Sequence, residues 1–238
     1  MDQVPVDIVL ILLRWFHFLF GITWIGLLYY MNFVQTPFFG EIDPPVRAIG
    51  QQKLLSRAMW WFRWGAMGTV IFGLIYLIIK WAQVGFAPFL LTPYAIAILT
   101  GGTLGLVMWG NVWFVIWPKQ KIVIASATAV AGGGQANPAA AAAGRRAAIA
   151  SRTNVMFSVP MLFFMGAASH YNMATQPSWG NITAWIIVSL IIIVLLELNA
   201  LIGTQGPTKK PLDTIPAVII SGFVLWLIFM IEISQTCH

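Results

Sequence analysis

IVLILLRWFHFLFGITWIGLLYYMNFV, residues 8–34, is apolar almost throughout and carries one arginine and one histidine in its first half. A helix needs about 20 mainly apolar residues to cross the ~30 Å hydrocarbon core of a bilayer. This stretch therefore predicts a transmembrane helix. Further runs of the same kind follow at roughly 65–82, 93–117, 153–170, 181–202 and 214–235. Composition agrees, with 59% hydrophobic and only 8% charged residues, against about 25% charged in a soluble domain. The runs are continuously apolar rather than alternating, which argues against a β-barrel. The expected fold class is an all-α integral membrane protein, a single domain over residues 1–238, with about six transmembrane helices plus interfacial and cytoplasmic helices. No internal repeat is visible.

The basic residues set the expected orientation. Arg47, Lys53, Arg57 and Arg63 follow the first run, Lys119, Lys121, Arg145, Arg146 and Arg152 the third, and Lys209 and Lys210 the fifth. Only Lys80, at the end of the second run, breaks the alternation. Cytoplasmic loops carry the excess of Lys and Arg. Loops at about 35–64, 118–152 and 203–213 are thus expected in the cytoplasm. Both termini are then expected outside, in the periplasm of a bacterial inner-membrane, multi-pass protein. The net charge of +6 reads as a topology signal and calls for no nucleic-acid partner. Asp2 and Asp7 precede the first run with no Lys or Arg, so the basic n-region of a signal peptide is missing and the run is expected to stay.

Within the loops, VRAIGQQKLLSRAMWWFRW (46–64) reads as an interfacial amphipathic helix, with Trp60, Trp61 and Trp64 at headgroup level. Pro118 is expected to end the third span. Gly132, Gly133 and Gly134 break a short helix, and Asn137-Pro138 starts the alanine-rich AAAAAGRRAAIASRTN, giving a cytoplasmic helical hairpin. The glycine run lacks the Lys-Ser/Thr of a phosphate loop.

Two of the three histidines, His17 and His170, lie inside or at the edge of apolar runs. An ionisable side chain in a bilayer is costly and usually faces a partner or ligand. At about 3.6 residues per turn, Arg14, His17, Gly21, Trp24 and Leu28 share one face. His17 suits an axial haem ligand, Gly21 clears space for a flat ring, and Arg14 suits a propionate. The other reading of His17 is a bundle histidine bonded to a neighbouring carbonyl. Gly166 precedes His170 by one turn and echoes the pattern on a helix of opposite direction. If Arg14 marks the outer interface by snorkelling, both histidines reach one leaflet. A single b-type haem, its iron bound by His17 and His170, is the expected cofactor; two separate roles stay open.

Trp109, Trp113 and Trp117 recur at intervals of four, a stripe typical of packing and interface anchoring. Asn111 either bonds across helices or reads a purine-like edge, which makes Asn111, Trp113 and Trp24 candidate substrate contacts. Glu197 and Glu232 lie at opposite ends of their spans, cannot form one acid–base pair, and are expected to meet cations or the interface. The single cysteine, Cys237, excludes an internal disulfide and a cysteine-ligated iron–sulfur cluster within this chain. Cys237-His238 resembles the tail of CxxCH, but position 234 is Ser, and the likeness is read as coincidence. No catalytic triad, zinc pattern or carboxylate dyad is present.

The stretches RWFHFLFGITWIGLLYYMNFVQ (14–35), RAMWWFRWGA (57–66), GNVWFVIWPKQK (110–121) and ANPAAAAAGRRAAIASRTNVMFSVPMLFFMGAASH (136–170) resemble the membrane-bound urate hydroxylases, the urate oxidase N-terminal membrane domain. The His-x6-Trp spacing from His17 to Trp24 also distantly resembles membrane haem proteins of the protoporphyrinogen-oxidase type. The urate hydroxylase resemblance implies oxidation of urate to 5-hydroxyisourate, with electrons passed to a cytochrome c that family members commonly carry fused behind the membrane domain. The sequence ends at His238 without CxxCH, so a separate c-type cytochrome is the expected partner. Two functions follow as expectations: a urate-oxidising membrane enzyme, or a non-catalytic haem-binding or anchor subunit of a respiratory complex. A transporter fits less well, given few intramembrane charges and no repeats.

Overall fold

The computed structural model describes residues 6–170 and 177–236; Asp2, Cys237 and His238 lie outside them. Six helical runs are long and apolar enough to cross a membrane: α1 (Val6–Glu41), α2 (Pro44–Val84), α3 (Pro93–Ala131), α4 (Ala140–Ala167), α5 (Trp179–Leu201) and α6 (Ile215–Thr236). No strand occurs among the described residues. The runs alternate in direction. One end of the bundle therefore gathers the start of α1 and the end of α6; the other gathers the basic loops.

The first three helices are longer than the sequence suggests, at 36, 41 and 39 residues. At 1.5 Å per residue each reaches roughly 50–60 Å, far more than a bilayer core. The segments expected as loops at 35–64 and 118–131 are largely continuations of the spans, and the interfacial helix at 46–64 is continuous with α2. Pro118 does not end α3. A π-helical segment, Asn111–Ile116, precedes it, and Pro118 sits in the first turn of Trp117–Ala131. Proline removes one i→i−4 bond and crowds the preceding turn, and a wider π turn already interrupts that ladder. α1 repeats the device, with π segment Tyr30–Gln35 followed by Thr36-Pro37. A third π segment, Gln51–Leu55, lies in α2. The alanine-rich helix and the fourth span are likewise one helix, α4, which follows the expected break at Gly132–Gly134.

α4 is the central helix, with 61% of its apolar window buried, against 22% for α5. Close approach depends on small residues, as expected where lipid gives no hydrophobic drive between helices. A Cβ on Gly65 would lie 3.1 Å from the Trp24 amide nitrogen, and one on Gly101 3.2 Å from the Met161 carbonyl oxygen. Pro160 deprives the Met156 carbonyl of its helical donor, and α6 packs there through Gly222, where a Cβ would lie 3.1 Å from that oxygen.

At the basic end, cations satisfy carbonyls left open at helix ends. Arg146 donates to Ala200 O (2.8 Å) and Arg145 to Thr204 O (3.2 Å). Arg145 also pairs with Asp213 at 2.7 Å. The buried Lys209 ammonium donates to Asn199 Oδ1 at 3.0 Å.

Candidate functional site

Toward the end formed by the start of α1, helices α1–α4 enclose a mainly apolar cavity of about 680 Å³. Arg14, His17, Gly21, Trp24, Gly166 and His170 all line it. The helical spacing that puts the first four on one face of α1 thus aims them at the end of α4.

His17 is fixed from α2. Its Nδ1 lies 2.8 Å from the Thr69 carbonyl oxygen. A carbonyl only accepts, so Nδ1 carries the proton and donates. In the neutral ring Nε2 then keeps its lone pair. Both readings of His17 meet here, because a bond to a backbone carbonyl is also how a metal-binding histidine is oriented. Thr69 O is the helical acceptor one turn before Gly73, and the ring reaches it only because Gly73 has no side chain. A Cβ there would lie 2.8 Å from Nδ1 and 2.9 Å from Cε1 of His17.

Arg14 donates to the Tyr76 hydroxyl, and its guanidinium lies 5.1 Å from the centre of the Tyr76 ring. Tyr94 lines the same region. His170 stands exposed in the turn that closes α4, where its amide donates to Ala167 O at 2.8 Å. The cavity therefore runs from the part-buried His17 to the surface. A Cβ on Gly166 would meet nothing within 4 Å, and one on Gly21 only Thr69 at 3.9 Å. Packing requires neither glycine; both leave the cavity open. The indole N–H of buried Trp24 has no partner among the described residues.

Asn111 and Trp113 do not line this cavity. Asn111 Nδ2 donates to Asn154 Oδ1 (2.9 Å) and Glu197 Oε2 (3.0 Å), and Asn154 Nδ2 donates to Met108 O (2.9 Å). Asn111 thus takes the cross-helix role. Trp113 packs edge-on against Trp64 at 5.6 Å, beneath the guanidinium of Arg63, which lies 4.0 Å over Trp117. Glu232 accepts from Ser189 at 3.0 Å. Both carboxylates thus hydrogen-bond to neutral side chains and pair with no cation among the described residues, which leaves the interface as the expected alternative, and a shared hydrogen bond makes that setting tolerable.

Sequence reading missed Thr69, Gly73, Tyr76 and Tyr94. Thr69 acts through its backbone oxygen, which no side-chain pattern reveals. The spacing Gly65-x-x-x-Thr69-x-x-x-Gly73 was the available signal, a small-residue stripe at one-turn intervals.

No curated protein and no solved structure matches the chain. The match that exists starts within α2, after the helix that carries His17, and runs nearly to the end of α6, including Asn111, Gly166 and His170. Over residues 58–231 it is to the family described as urate oxidase N-terminal, and the chain belongs to that family.

Proposed function

We propose that this is a membrane redox enzyme that oxidises urate or a related donor and passes the electrons, through a b-type haem, to a separate c-type cytochrome in the periplasm. The observation that carries the haem assignment is His17, tied through Nδ1 to Thr69 O with Nε2 unengaged among the described residues, in the wall of a cavity of about 680 Å³. Family membership supports urate as the donor.

The residues fit the group. His17, through Nε2, and His170 would hold the iron. Arg14, oriented by Tyr76, would neutralise a propionate. Gly21 and Gly166 leave room beside the ring. A bound haem supplies reversible one-electron transfer, and the protein sets its potential through ligands, charge and burial. With the basic loops in the cytoplasm, the cavity opens on the periplasmic side, where a cytochrome would collect electrons.

A visible spectrum of the purified protein, from cells supplied with haem, tests the cofactor. A Soret band is expected, and His17→Ala and His170→Ala should each alter it; no band rejects the haem. Urate added with oxidised cytochrome c should reduce the cytochrome, and absence of urate-dependent reduction rejects the reaction. The second reading is a non-catalytic haem-binding or anchor subunit of a larger respiratory complex. Co-purification with redox subunits, and inactivity alone, would favour it.

A further inference from the structure

The same four helices enclose a second cavity of about 330 Å³ at the basic end. All three π segments contribute to its wall, through Asn32 and Gln35, through Gln51, and through Ile116. Such turns concentrate at functional positions, and here three helices place one each around a single space.

Its chemistry is the opposite of the first cavity's. Asn32, Gln35, Arg47, Gln51, Gln120 and Arg152 line it, with no acidic residue among the described lining. Gln35 is 4% exposed, and its Oε1 has no hydrogen-bond partner among the described residues. Gln120 Oε1 and Arg47 Nε are likewise buried without partners among them. Polar groups buried this way are normally satisfied. Arg152 uses Nη1 on Leu212 O and Asp213 O (2.8 and 2.9 Å), and Arg47 uses Nη2 on Ile42 O (3.3 Å). Each guanidinium keeps further donors.

Asp213, which pairs with Arg145, is the carboxylate near Arg152, but none lines the cavity itself, so its two guanidiniums suit an anion. The amides, which accept as well as donate, call for N–H groups on it. Inorganic phosphate meets the first demand but brings at most one or two O–H donors near neutral pH, whereas amide oxygens at Gln35 and Gln120 lie on separate helices. A flat ring with N–H groups beside carbonyls meets both.

The two cavities are distinct. On α1, Gly26 bounds one and Met31 the other, about 7.5 Å apart at 1.5 Å per residue. Leu28, Phe62, Met108 and Phe157, all 0% exposed, lie between them along the four helices. Tyr29 and Ser158 hydrogen-bond across this layer at 2.8 Å.

We propose that the amide-lined cavity is a separate binding site for a small planar anion of the oxopurine or cyclic-imide class, held by Gln35, Gln120, Arg47 and Arg152. This deepens the function proposed above by giving the donor its own site, and it rests on that reading for the choice of urate as probe.

Calorimetric titration of the detergent-solubilised full chain with urate tests it, with inorganic phosphate as competitor. Gln35→Leu and Arg47→Gln should each weaken urate by about tenfold or more, as loss of a hydrogen bond to a charged group does. His17→Ala should leave urate affinity unchanged, and phosphate should compete poorly. If Gln35→Leu does not fold, Gln120→Leu takes its place. Wild-type protein that binds no urate overturns the proposal. So does urate binding that ignores these substitutions, and so does phosphate binding as tightly as urate. Urate-dependent cytochrome reduction that survives Gln35→Leu and Arg47→Gln would sink this site and leave the proposed reaction standing, whereas absence of a Soret band would sink the haem assignment and leave this titration intact.

Discussion

Around the histidines, α1 and α2 follow ordinary helical turns and make space by omitting side chains, at Gly21 and Gly73. At the basic end the same helices make space by widening their turns, at Tyr30–Gln35 and Gln51–Leu55. The first device leaves a large apolar volume with one imidazole fixed in its wall. The second turns amides and guanidiniums into a small volume. One four-helix frame thus holds a larger apolar cavity and a smaller polar one, and a packed layer keeps them apart; the two proposals above assign them separate ligands.

The largest effect is expected from Gly73→Leu. Its Cβ alone would fall 2.8 Å from His17 Nδ1, so the ring must leave Thr69 O. The haem band should be lost and stability should fall by about 1–3 kcal/mol, the usual range for overpacking. Urate titration should be unaffected; equal damage to both would show that the cavities are not independent. Asn154→Leu tests the layer between them. It strips the side-chain donor from Met108 O, which keeps the Asn111 amide, and one acceptor from Asn111, which should cost roughly 1–2 kcal/mol. Thermal unfolding in detergent should show the loss, and both the spectrum and the urate affinity should shift. Tyr29→Phe removes only the bond to Ser158. It should cost about 0.6 kcal/mol, typical of a hydrogen bond between membrane helices, and leave both ligands' behaviour unchanged within a factor of two or so.

The sequence made the six spans legible because each is a continuous apolar run, and periodicity put Arg14, His17, Gly21 and Trp24 on one face. The Gly166–His170 echo led to the other wall of the same cavity. Helix lengths were not legible. Pro118 reads as a breaker, and only the π turn before it, a backbone feature, lets the helix continue. Thr69 escaped notice because it works through its carbonyl. The second cavity escaped because Gln35, Gln51 and Gln120 sit on three different helices and form no motif. Asn111 was recognised as deep and polar, but its choice between ligand and helix partner depended on Asn154 and Glu197, distant in sequence.

A π turn fits one residue more into a full rotation than an α turn does. Removing a single residue between Tyr30 and Gln35 and closing that turn to α geometry would leave the rest of the span facing as it does and as apolar as before, and would take away only the widened backbone that bears Asn32 and Gln35. When relatives of this chain are aligned, a one-residue gap in the middle of an otherwise unbroken span will therefore mark those that lack the widened turn, and hydropathy will not reveal the difference.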